Sequence, residues 1–143
     1  MANALFDVYR NNILGDATFA NIQLDSDDII AAFIDTADDD PSTSTDQDFA
    51  DISTALVPAF ASCPTLASKT IGSVGVGVFD ATDTTFTALT GDQVEELVIG
   101  KDTGTDTTSP LIAVFDTFGS GMPLTPNGGD VTVQWNASGI FSI

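Results

Sequence analysis

Three short, mostly apolar runs that contain several β-branched residues constrain the fold of this chain most strongly. They are Ile29–Ile34, Val94–Ile99 and Leu111–Phe115, and each is bounded by polar or turn-forming residues. Short apolar runs of this kind are typical of buried strands. Further strand patterns recur roughly every 8 to 12 residues, which favours an antiparallel arrangement. We therefore predict a mostly-β fold, an antiparallel β-sandwich or barrel of jelly-roll-like type with a short N-terminal helix.

Weaker strand patterns lie between these runs. Apolar and polar residues alternate over Phe19–Leu24, over Thr84–Leu89 and again from Val131 to Trp135, and Ile140–Ile143 is a short apolar segment. Ile71–Phe79 also has strand composition, but it contains three glycines, which predict a bulge or a close approach of another backbone.

The remaining segments have the composition of a helix, loops and turns. Residues 2–14 carry an approximate helical stripe that stops at Gly15, so residues 1–15 are predicted to form a helix or arm. Residues 36–48 are acidic and strand-breaking, and we predict a mobile loop. The pattern of Phe49–Phe60 fits either a short helix or a loop anchored by its aromatic residues. A hairpin connection is predicted over Lys101–Pro110 and a turn over Gly119–Gly129. The length of 143 residues fits one domain.

The charge of the chain restricts its partners. Three cations oppose 21 carboxylates, which gives a net charge of −18. Nucleic acids and anionic membrane surfaces require a basic patch, so we predict neither as a partner. The 43% hydrophobic content indicates a folded core, and the acid is expected to cover its surface. No run is long enough for a membrane span, and the N-terminus has no signal-peptide pattern, so we expect synthesis and retention in a cytoplasm.

The residue types leave little room for catalysis. The chain has no histidine, and Cys63 is its only cysteine, which excludes Ser–His and Cys–His arrangements. We predict that it is not an enzyme and has no catalytic, cofactor-binding or metal-binding residues. A carboxylate-dependent glycan hydrolase is the remote alternative. Asp25–Asp28 and Asp38–Asp40 offer oxygen ligands for Ca²⁺ but lack the glycine and distal glutamate of an EF-hand loop, so we interpret them as solvated turns.

Several sequence blocks resemble a family of small structural proteins of tailed bacteriophages. The resemblance is densest over residues 77–143. The blocks that carry it are Gly77–Ala81, Thr85–Ala88, Glu96–Ile99, Lys101–Thr105, Leu111–Ala113, Pro123–Asp130 and Val131–Asn136. Position 100 departs from the family pattern, because it is glycine where an aromatic residue is expected.

The resemblance implies a virion component, and the role we favour is capsid decoration, or cement. Such a protein is expected on the capsid surface, after synthesis in the cytoplasm of the host bacterium. Its partners would be the major capsid protein and further copies of itself, a trimer being one arrangement. A tail component, such as a tube, adaptor or adhesion-device subunit, is the alternative.

Three segments are the candidate contact surfaces. The residue candidates for partner binding are Phe6, Tyr9 and Arg10 in the N-terminal segment, Lys101 in the predicted hairpin, and Pro123, Pro126 and Asn127 in the predicted turn. The N-terminal segment has two interpretations at this point. It could insert under a neighbouring subunit as an arm, or it could cap the β core of its own chain.

Overall fold

The three apolar runs lie side by side at the centre of a five-stranded antiparallel sheet. The computed structural model describes residues 3–19 and 21–143. The strands of this sheet are β1 (Ala4–Leu5), β2 (Ile29–Ile34), β3 (Leu56–Val57), β7 (Glu96–Lys101) and β8 (Leu111–Phe115). Their spatial order is β1-β8-β7-β2-β3, and all neighbours are antiparallel. The prediction of a mostly-β, antiparallel fold is confirmed.

Both faces of this central sheet are buried, which explains why β2 and β8 are apolar without interruption. Side chains alternate between the two faces along a strand. In β2, the residues at odd positions enter one core cluster and those at even positions enter another. All six β2 side chains are at most 2% exposed. A half-solvated strand would instead alternate apolar and polar residues.

Two smaller antiparallel sheets cover the face of the central sheet that carries Ile29, Ala31 and Phe33, which we call the first face. One consists of β4 (Thr70–Ile71), β5 (Val78–Asp80) and β10 (Phe141–Ser142) in the order β10-β5-β4, and in the other β6 (Thr84–Phe86) pairs with β9 (Val131–Val133). On this side the fold is a sandwich of sheet against sheets.

Aromatic side chains join the central sheet to these smaller sheets. The ring centroids of Phe33 and Phe86 are 4.4 Å apart, and those of Phe115 and Trp135 are 5.9 Å apart. The Trp135 indole N–H donates to Thr84 Oγ1 at 3.1 Å, so this half-buried ring keeps its polar group satisfied.

An irregular segment covers the second face. Phe49, Ile52 and Ala55 are fully buried there. Of the two alternatives for Phe49–Phe60, the loop anchored by aromatic residues is confirmed: turns lead into β3, a single 3₁₀ turn follows at Phe60–Ser62, and the rings of Phe49 and Phe60 are 5.3 Å apart.

The predicted loop over residues 36–48 is confirmed as a loop, and hydrogen bonds attach it to the body. Asp35 O accepts the N–H groups of Asp38 and Asp39, and Thr43 O accepts the Asp7 N–H at 2.8 Å. Pro41 is buried. We therefore expect any mobility of this loop to be confined to its exposed tip at residues 44–45.

The N-terminal helix is shorter than predicted and begins later. Helix α1 spans Asp7–Ile13, whereas Ala4–Leu5 forms β1 and pairs with Val114 and Ala113 of β8. Residues 1 and 2 of the predicted segment lie outside the described residues. The error arises because pairing with an edge of the central sheet overrides the local helical pattern. Neither α1 nor any other described helix is long and apolar enough to cross a membrane.

Two strand predictions were wrong. The described part of Phe19–Leu24 forms no strand, because its backbone bonds to side chains instead: the Ile22 N–H donates to Asn12 Oδ1 and the Gln23 N–H to Asp27 Oδ2. Ile71–Phe79 is not one bulged strand: it comprises the end of β4, a loop over residues 72–77 and the start of β5. The predicted close approach of another backbone is confirmed at Gly77, where an added Cβ would lie 2.5 Å from the carbonyl oxygen of Ile143. Gly72 and Gly77 have φ of 76° and 71°, values that favour glycine and let the chain reverse.

Candidate binding surface

Two of the predicted contact residues belong to the core of the protein. Phe6 is fully buried against the second face of the central sheet, and Tyr9 is 3% exposed and packs in the cluster on the first face. The N-terminal segment therefore packs against both faces of the central sheet, Tyr9 against the first and Phe6 against the second. This is a correction to the arm interpretation, because both rings pack within their own chain and do not project from it. Arg10 is exposed, and its guanidinium lies 3.2 Å from Asp7 of the same helix.

Lys101 is also unavailable as an exposed contact. Its side chain is 14% exposed, its ammonium lies 2.9 Å from Asp27 Oδ2, and it donates to Asn21 O at 3.1 Å. The prediction of a hairpin around it is confirmed, since β7 and β8 pair antiparallel on either side of this connection. Lys101 thus ties the 21–27 segment to the central sheet.

The turn candidates are exposed to differing degrees. Pro123 and Asn127 are exposed, and Pro126 is half-buried. The Asn127 side-chain oxygen accepts the Gly129 N–H at 3.0 Å, which stabilises the turn itself. These three residues keep their place as contact candidates, and whether they bind a partner stays a prediction.

The sequence analysis missed a cleft between α1 and the three-stranded sheet, which we call the apolar cleft. Its volume is about 510 Å³. Ordinary binding clefts measure roughly 300 to 1,000 Å³. Its apolar lining comes from α1, the 22–24 segment and the three-stranded sheet: Tyr9, Ile13, Ile22, Leu24, Ile71, Phe79, Phe141 and Ile143.

Of the six large exposed apolar side chains of the described residues, three line this cleft and three lie within three positions of a lining residue in the sequence. Ile13, Ile71 and Ile143 line it, and Leu14 follows Ile13 directly. The remaining two, Val74 and Val76, lie on the β4–β5 loop, whose ends also line the cleft. Apolar residues set among glycines in a turn were the signal that could have located this surface from the sequence.

The acidic residues form one tight group in the described part of the chain. Carboxylate oxygens of Asp35, Asp38 and Asp92 lie within 4.8 Å of one another. Asp38 is thus grouped with Asp35 and Asp92, and not with Asp39 and Asp40, which follow it in the sequence. Oxygen atoms at this spacing suit a hard cation, but solvated turns bring carboxylates together in the same way. We assign this group no ligand.

Cys63 lies in an environment that disfavours its reactive form. Burial, with a smaller contribution from the negative charge of Asp102, raises the pKa of the Cys63 thiol to about 12. The thiolate is the nucleophilic form of cysteine, so this pKa makes the side chain a poor nucleophile near neutral pH.

Glu96 is a buried carboxyl without full hydrogen bonding. It is 7% exposed, and its Oε2 has no hydrogen-bond partner among the described residues. Burial is the main cause that raises the pKa of Glu96 to about 7, and the negative charges of Asp40 and Asp116 add to it. A pKa in this range is one that a general acid can have. Glu96 points to the same face of β7 as Val98, a core residue, so we interpret it first as a determinant of stability.

This raised pKa predicts a pH-dependent contribution to stability. The folded protein holds the Glu96 proton more tightly than the unfolded chain, so the contribution is complete below pH 4.5 and is lost as the pH rises through about 7. Glu96→Gln removes this titration, and above that range the variant is expected to be more stable than the wild type by about 2 kcal/mol.

Urea denaturation across this pH range measures the difference. Asp28→Asn is the matched control, because it also replaces a carboxylate by an amide, but at an exposed position that does not contribute to the raised pKa of Glu96. An unchanged pH profile in the Glu96 variant would contradict the assignment.

Comparison with known proteins adds no family to this description. No protein-family model matches the chain, and no curated protein matches it either. The resemblance of residues 77–143 to phage virion proteins therefore stays a hypothesis, and the described surface is the basis on which a function is proposed.

Proposed function

We propose that this chain is a structural protein of a tailed-phage virion, most specifically a capsid decoration protein. In this role it binds the outer surface of the shell of the major capsid protein and stabilises it. The observation that carries the proposal is the apolar cleft, an exposed apolar surface on a strongly acidic protein. Contiguous exposed apolar patches mark interaction surfaces, whereas isolated exposed apolar residues are normal.

The construction of the fold supports a binding role. A central sheet that is buried on both faces holds the surrounding surfaces in a fixed geometry. A protein that binds in many copies on a particle needs such rigidity and only modest affinity at each site, because the lattice supplies multivalency.

The charge supports an exterior location in the particle. A net charge of −18 disfavours contact with packaged DNA and with other acidic particles. The three cations of the chain do not offset this, because each is bonded within the chain: Arg10 to Asp7, Lys69 to Leu66 O and Lys101 to Asp27.

The motif resemblance supports the choice of a phage particle over other assemblies. The blocks from Gly77 to Asn136 include all or part of each strand from β5 to β9, together with the turn over residues 123–130. They include the central strands β7 and β8, which have a structural role in this fold. Association with further copies of itself belongs to the same proposal.

Copy number and location on purified particles test the proposal. In particles of a phage that encodes this chain, quantitative mass spectrometry and cryo-electron microscopy should find hundreds of copies on the head. Particles without the protein should lose resistance to heat. Few copies confined to the tail would replace the proposal by the tail-component alternative, and absence from particles would overturn both.

A further inference from the structure

We propose that the apolar cleft is the docking site for a short segment of a partner protein that carries apolar side chains flanked by lysine or arginine. The assignment deepens the proposed function and rests on it in one respect only, that the partner is a virion subunit. The chemistry of the segment is argued from the cleft itself.

The lining of the cleft selects apolar side chains. Tyr9 and Phe141 make an edge-on contact at its floor, with ring centroids 6.1 Å apart, and Phe79 lies 5.5 Å from Phe141. Ile13 and Ile143 stand at its walls with 46% and 64% of their surface exposed. This aliphatic surface stays in water in the isolated chain, so covering it is favourable.

The β4–β5 loop extends this surface beyond the cleft. Val76 is 100% exposed, and Gly77 beside it lines the cleft. The loop is held in position, because the Gly72 N–H donates to Val78 O and Gly77 O accepts the N–H of Ile143. The valine is thus presented by a fixed turn, next to the strand end that carries Ile143.

Charge decides between a second copy of this chain and a cationic partner. The charged residue that lines the cleft is Asp25, and no lysine or arginine lines it among the described residues. A second copy would bring another net charge of −18 to the same place. A segment with lysine or arginine beside its apolar residues complements this rim and is attracted by the acidic surface around it.

Binding of three synthetic peptides of equal length to the full chain tests the assignment. The first alternates leucine with lysine, the second replaces its lysines by glutamate, and the third replaces its leucines by serine. Fluorescence anisotropy should show binding of the first peptide, and affinity for the second and third should be lower by at least about tenfold. Binding of the first and third peptides with equal affinity would overturn the proposal, because charge alone would then account for it.

Variants of the cleft locate the binding. Ile13→Ser and Ile143→Ser each leave the net charge unchanged and are expected to weaken binding of the leucine–lysine peptide by about tenfold. Ala137→Ser, at an exposed turn, is the matched control and should bind like the wild type. Far-UV circular dichroism and thermal melting establish that the variants are folded. Equal binding by folded cleft variants would overturn the proposal.

Two further measurements separate the possible failures. If sedimentation shows wild-type oligomers that Ile143→Ser dissociates, the cleft is a self-interface and the proposed occupant is wrong. If the cleft variants decorate particles as well as the wild type, the cleft assignment fails while the proposed function stands. If the protein binds the leucine–lysine peptide through the cleft but is absent from particles, the cleft assignment stands and the proposed function fails.

Discussion

Replacing Gly100 by alanine is expected to destabilise the protein by about 3 kcal/mol. Gly100 lies in β7, and an added Cβ would overlap the ring of Phe49 and lie 2.7 Å from the carbonyl oxygen of Pro110. Neither group can retreat easily. Phe49 is fully buried, and Pro110 O accepts the N–H of Lys101 at 3.0 Å. Urea denaturation followed by the fluorescence of Trp135 measures the loss.

Gly119→Ala is the matched control for this substitution. A Cβ at Gly119 meets nothing within 4 Å, so the change in stability should stay within about 0.5 kcal/mol. Equal stability of the two variants would show that β7 and the loop at Phe49 are not packed as described. The same packing gives a physical reason for glycine at position 100, because Phe49 occupies the space in which a side chain at that position would begin.

Replacing Phe6 by alanine is expected to cost about 3 to 5 kcal/mol of folding stability, the range for large aromatic side chains in a core. Phe6 has no exposed surface, and its N–H donates to Ile112 O at 3.0 Å, which continues the pairing of β1 with β8. A cavity at this point would loosen the edge strand and the start of α1 together. Chemical denaturation of the purified variant measures the effect.

Arg10→Ala provides the contrast within the same helix. Arg10 makes an exposed ion pair with Asp7, and exposed pairs contribute roughly 0 to 1 kcal/mol. A Phe6 variant as stable as the Arg10 variant would restore the interpretation of this segment as an arm that binds a neighbour. The expected contrast would instead direct interface mutagenesis to Ile13 and Ile143.

Local sequence patterns could not predict most of the candidate site, because they do not show which residues pack against one another. Residues 2–14 contain several apolar side chains, but their order in the sequence does not say what covers each of them. Tyr9 is covered by Phe141, which lies at the opposite end of the chain, whereas Ile13 and Leu14 remain exposed. The difference depends on where β10 is placed, and β10 is positioned through β5 rather than through any local contact.

The sequence by itself determined the class of the fold and the character of the surface. The continuous apolar run of Ile29–Ile34 specifies a strand buried on both faces, because alternate side chains point in opposite directions and all of them are apolar. The acidic composition likewise determines the charge that any partner must meet. Both properties are carried by residue type and spacing alone.

Only the tertiary structure decided which apolar residues are core and which are surface. Phe6 is buried because β1 pairs with β8. Lys101 is mostly buried because its ammonium forms an ion pair with Asp27. The glycines at 72 and 77 make a loop that leaves Val76 in water, although the segment has the composition of a strand. In each case the deciding contact joins residues far apart in sequence or depends on a turn that reverses the chain. The local sequence pattern therefore cannot predict it.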